Sequence, residues 1–126
     1  MKKIIKTDNA PGAVGPYSQG VATGGFVFTS GQLPMDPRTG KFVEGGIREE
    51  ARQCLENVKA VLEAAGTSLD KAVKATVFLA DIKDFAAVNE VYATFFTESP
   101  PARSAYQVAA LPLGARVEIE MIASLD

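Results

Sequence analysis

Apolar positions along this chain switch between a period of two and a helical period, and the switches divide it into elements. Lys2 to Thr7 reads as a first strand, followed by a Gly/Pro loop through Gly15-Pro16-Tyr17 and a short strand near Gly20 to Ala22. Thr23-Gly24-Gly25 has the composition of a hairpin turn, and Phe26 to Ser30 forms a strand that halts at Gly31. Pro34 to Gly40, dense in turn residues, is expected to be a surface loop. From Ile47, the positions Ala51, Cys54, Leu55, Val58, Val61, Leu62 and Ala65 recur at helical spacing, and Gly66 stands where a C-terminal cap belongs.

Val73, Ala75, Val77 and Leu79 then alternate with Lys74, Thr76, Phe78 and Ala80, which predicts a strand with the first set facing inward. A second helix carries Phe85, Val88, Tyr92, Phe95 and Phe96 on one face, with Asp81 or Asp84 to cap its start and Pro100-Pro101 to end it. Two more strands, Ala102 to Val108 and Arg116 to Ser124, are joined by a turn at Leu111 to Gly114. The order βββαβαββ predicts an α+β fold: one mixed sheet with both helices on a single face. The other face would carry Phe78 and Ile122 beside Glu118 and Glu120. Large apolar side chains there want cover, so other copies of the chain are expected to supply it.

Composition narrows the chemistry. The 126 residues suit one domain, 1–126, with an ordinary globular balance of 47% hydrophobic and 22% charged residues and no membrane-length apolar run. The lysine-rich start lacks the apolar segment of a signal peptide, so a cytoplasmic protein is expected. Histidine is absent and Cys54 is the only cysteine, which removes the commonest general base and any internal disulfide; no metal site is expected. Cys54 lies in an apolar stripe and is better read as a core residue than as a reactive thiol. A net charge of -2 gives no overall attraction to nucleic acid.

Arg103 stands out as the only charged residue between Glu98 and Arg116. Its guanidinium cannot discharge, and its planar fork of donors matches a carboxylate. Glu118 and Glu120 are the nearest acids on the following strand. On pattern alone, an internal ion pair with one of them is the simpler reading, and a cleft shared with them is the other.

Four segments decide how that arginine is read further. Asn9-Ala10-Pro11 through Gly15-Pro16-Tyr17-Ser18-Gln19-Gly20, Thr29-Ser30-Gly31-Gln32-Leu33-Pro34, Asn57 to Gly66 and Pro101-Ala102-Arg103-Ser104, completed by Val117-Glu118-Ile119-Glu120, resemble the Rid (YjgF) family, most closely its RidA subgroup of enamine/imine deaminases. The resemblance runs nearly end to end in preserved order. It implies a chorismate-mutase-like fold and a homotrimer with clefts between subunits. The implied activity is cofactor-free hydrolysis of 2-aminoacrylate and 2-iminobutanoate to ammonia and pyruvate or 2-oxobutanoate.

By the family's pattern, Arg103 would hold the substrate carboxylate and Glu118 would position or activate water. Tyr17, Ser30, Gly31 and Asn89 would line the cleft. Taken alone, Tyr17 is a packing residue, Ser30 a strand-end cap and Asn89 a solvated helix residue. Many relatives carry Cys where this chain has Ala105, a position whose backbone the family uses for ligand contacts; Tyr106 beside it is a candidate new contact. Glu120 points the same way as Glu118 by strand alternation, so the choice between them rests on the resemblance. Two other functions remain open at this point: a carboxylate-binding module without turnover, and an endoribonuclease-type translation inhibitor. The latter draws little support from a chain with no histidine and no basic run interleaved with aromatics.

Overall fold

A computed structural model describes residues 1–126. Its main sheet has six strands: β1 (Lys3–Ile5), β2 (Gly20–Thr23), β3 (Phe26–Thr29), β6 (Ala72–Leu79), β7 (Ala102–Gln107) and β8 (Val117–Ser124). Their order across the sheet is β1-β2-β3-β8-β6-β7, antiparallel except for the parallel pair β6/β7. Helix α1 spans Ile47–Ala64, and α2 (Phe85–Phe95) lies in the crossover between β6 and β7. The architecture is α+β, as the periodicity predicts, and no helix is long and apolar enough to cross a membrane.

Gly24 and Gly25 both take positive φ, 58° and 83°, which lets Thr23 pair directly with Phe26 across a two-residue turn. Along β8, Val117, Ile119, Met121 and Ala123 are buried while Glu118, Glu120 and Ile122 are only partly covered. The buried set meets Ala51, Cys54, Leu55, Val58, Val61 and Leu62 of α1 and Val88, Val91 and Tyr92 of α2 in one core. Each large side chain taken fully from water there contributes about 1.5–3 kcal/mol. Cys54 belongs to this layer: it is fully buried, and burial holds its thiol well above the usual pKa, with Glu118 and Glu50 adding to the effect.

The structure departs from the sequence pattern in several places. Pro34 to Gly40 is not only loop: β4 (Met35–Asp36) pairs with β5 (Lys41–Phe42) in a two-stranded ribbon. Asp36 makes that reversal, its backbone carbonyl accepting from Thr39 and Gly40 and its carboxylate from the Arg38 amide and guanidinium. Val73 does not join the inward set, because a register break between Ala72 and Lys74 leaves it exposed. Asp81 caps a short 3-10 turn (Ile82–Asp84) by accepting from the Lys83 amide, whereas the Asp84 side chain caps nothing. Helix α2 ends at Phe95, before Pro100-Pro101 is reached.

Candidate active site

Arg103 sits on the edge strand β7 in register with Ala75, a buried position, so its side chain rises on the helix side of the sheet. The βαβ crossover places α2 over that strand. The guanidinium carbon lies 4.7 Å from the Tyr92 ring centroid and 5.4 Å from that of Phe85, and Nη1 donates to Asn89 Oδ1 at 2.8 Å. No carboxylate pairs with it; the ion pairs of the chain are Arg38–Asp36, Arg48–Glu90, Arg52–Glu49 and Arg116–Glu50. Beside it runs a groove of about 410 Å³ between one stripe of α2 and Pro100-Pro101, lined by Asn89, Tyr92, Ala93 and Phe96.

The internal ion pair with Glu118 or Glu120 is therefore not formed. Glu118 stands opposite Phe78 and Glu120 opposite Thr76, and both project from the outer face, while Arg103 projects from the inner one. A pair across the thickness of a sheet cannot close.

Around Glu118 the sheet is locally irregular. Phe28 pairs with Ile122 and Gln32 bridges Ile119, so four steps along one chain answer three along the other. The extra residue falls in the stretch that contains Ser30 and Gly31, a β-bulge of the kind that re-aims side chains near functional sites. A Cβ at Gly31 would lie 2.6 Å from Glu118 Oε2, so only glycine leaves that carboxylate in place. Burial raises the Glu118 pKa, and the neighbouring Glu120 charge raises it further. Phe78 and Tyr106 complete the neighbourhood, their rings edge to face at 5.6 Å.

Ser30 Oγ donates to the Ser18 carbonyl at 2.5 Å, and its amide donates to the Gln19 carbonyl at 2.9 Å, which ties the bulge to the loop carrying Tyr17. That loop is held by the buried Gln19, whose Nε2 donates to the carbonyls of Thr7, Ala10 and Pro11 while its Oε1 accepts from the Thr7 amide. The Tyr17 ring is half exposed. Ala105 lies on the helix side in register with Val77 and packs against the core, leaving its backbone as the part available at the sheet edge. One chain thus joins Arg103 to Asn89 and Gly31 to Glu118, but keeps the two groups apart. No three His, Cys, Asp or Glu side chains converge to hold a metal ion.

Sequence reasoning did not assign Phe85 and Tyr92 to the arginine, or Gln19 to the loop. The available signal was the α2 stripe, Phe85 and Tyr92 being seven residues apart, immediately before the strand that carries a lone arginine.

Residues 7–125 match the family described as endoribonuclease L-PSP. The chain belongs to this family, the Rid or YjgF family. Among Rid relatives it is 57% identical over 123 residues to the Bos taurus protein named 2-iminobutanoate/2-iminopropanoate deaminase, covering 98% of this chain and 90% of that one. It is 54% identical, over 98% of both chains, to a RutC family protein of Pyrococcus horikoshii. Among solved Rid structures, E. coli TdcF with bound serine superposes with a TM-score of 0.93 at 51% identity, over 97% of this chain and 98% of that one. The E. coli YjgF gene product gives 0.94 at 49% identity, over 98% and 99%.

Proposed function

We propose that the chain is a deaminase of reactive 2-imino acids, working in clefts between copies of itself, with 2-aminoacrylate and 2-iminobutanoate as substrates. The observation that carries this reading is Arg103, an unpaired guanidinium held over two aromatic rings at the end of an open groove. A substrate carboxylate supplies the partner it lacks, through charge-assisted hydrogen bonds of about 1.5–3 kcal/mol each. The deaminase name carried by relatives at more than half identity points to the same chemistry.

The outer sheet face leaves Phe26, Phe28 and Tyr106 more than two-fifths exposed, a surface suited to another copy of the chain. In the homotrimer we propose, a second copy brings Glu118 and Gly31 to the groove of the first, with Tyr17 and Ser30 beside them. Ala105 would offer its backbone to the ligand. 2-Aminoacrylate enters as its imine tautomer after protonation at C3. Water held by Glu118 adds to C2 while the C=N electron pair moves to nitrogen, and Glu118 takes a proton from the water. Glu118 returns that proton to the nitrogen of the resulting carbinolamine, the C=O forms, and the nitrogen leaves with the hydroxyl proton as ammonium. Proximity and orientation supply most of the rate, since a protonated imine is already electrophilic.

The test is release of ammonia and keto acid from dehydratase-generated 2-aminoacrylate, timed against spontaneous hydrolysis. Activity above that background in wild type, abolished by Arg103→Ala, is expected. Pyruvate binding through Arg103 with no imine turnover would replace this reading with a carboxylate-binding module.

A further inference from the structure

Tyr92 is a buried core residue whose hydroxyl has no hydrogen-bond partner. What Tyr92 does have is a partner for its ring face, the Arg103 guanidinium at 4.7 Å, and a tyrosine face attracts a cation well. Phe96 leans on the same ring at 4.8 Å and braces it, and Phe85, two turns earlier on α2, offers the guanidinium a second ring.

Rings covering the flat face of a guanidinium leave its donors free in the plane, where a carboxylate binds side-on. Asn89 takes one in-plane donor and fixes the rotation of the group. We infer that Tyr92, seconded by Phe85, is a positioning residue: an aromatic platform that holds the Arg103 fork presented to a substrate carboxylate before the substrate arrives. This rests on the reading of Arg103 as the carboxylate-binding group. The platform acts through the ring and not the hydroxyl. Since the carboxylate contact exists in ground and transition states alike, weakening it while Arg103 stays in place raises KM and spares kcat.

The experiment compares wild type, Tyr92→Phe, Tyr92→Leu, Phe85→Leu and Arg103→Ala in three ways. Kinetics are measured with 2-iminobutanoate generated in situ, pyruvate is titrated as a non-reacting carboxylate, and the Arg103 Nε–H resonance is followed by NMR. Tyr92→Leu is expected to raise KM and the pyruvate Kd roughly five- to thirtyfold, with kcat little altered. The ring-current shift of Arg103 should vanish with it. Tyr92→Phe recovers most of both, and Phe85→Leu moves them in the same direction by less. A folding defect alone would lower apparent kcat at constant KM, and that result overturns the inference. If Tyr92→Leu does not fold, Phe85→Leu with an unchanged KM overturns it as well. Should Arg103→Ala bind pyruvate like wild type, the reading of Arg103 itself falls. Should Arg103→Ala lose binding while both ring variants keep it, only the platform falls.

Discussion

Arg103 and Glu118 stand on opposite faces of the same sheet, the first in register with Ala75 and the second with Phe78. Within one chain the sheet itself lies between the two charges. If both act on one substrate, they come from different copies, and complementation follows. Arg103→Ala and Glu118→Ala, each inactive alone, should recover activity when unfolded together and reassembled. Random mixing leaves both groups intact in about a quarter of the clefts. Reassembled mixtures as inactive as the separate variants would sink the shared cleft.

Gly31 tests whether the Glu118 carboxylate must stay where it is. An added methyl at 31 would lie 2.6 Å from Oε2 and 2.8 Å from Cδ, so the carboxylate has to swing away. Gly31→Ala should fold normally, as the displaced group is a side-chain end beside solvent, yet lose roughly 100-fold in kcat through misplacement of that carboxylate. Steady-state kinetics beside a melting curve checks it; full activity with an unchanged melting temperature would show that the position of Glu118 is immaterial.

The features legible in the sequence were those with a repeating pattern or a distinctive turn composition. The α1 stripe from Ile47 to Leu62 and the alternation of β8 rest on a periodic burial signal, the Gly24-Gly25 turn on its paired glycines, and each is found in the structure. Val73 escaped because a register break interrupts alternation without altering composition. The orientation of Arg103 escaped for a different reason. Strand β7 reads Ala-Arg-Ser-Ala-Tyr-Gln, with no apolar alternation, so its sequence says that residues 103 and 105 share a side but not which side faces the helices. Only the crossover through α2, which puts Phe85 and Tyr92 over the arginine, decides that.

Gln19 is the pin of the loop that bears Tyr17. Four hydrogen bonds run from one buried amide to residues 7 to 11, and no other side chain holds those carbonyls. Gln19→Leu should lower stability by about 2–5 kcal/mol in urea titration and speed proteolysis within residues 8 to 16. A lower midpoint with unchanged cleavage would place the amide's role in the core and not in the loop.

The Glu118 carboxyl carries the pH dependence. Burial, and then the Glu120 charge, raise its pKa above the ordinary glutamate value of 4.5. A carboxyl whose folded pKa lies above its unfolded one favours the folded state most when both are protonated. That advantage is lost as pH rises through the folded value, because the unfolded chain ionises more easily. Glu118→Gln, which stays neutral, should therefore gain melting temperature over wild type starting near pH 4.5, and the gain should level off once the folded carboxyl has ionised. Glu120→Gln should shrink the gain by removing the like charge. Subunits covering the outer face would deepen the burial and widen the gap. A gap that stays flat with pH would mean that the Glu118 charge is as well stabilised in the folded protein as in the unfolded chain, and one that closes as pH rises would mean that it is better stabilised there; either result overturns the raised pKa.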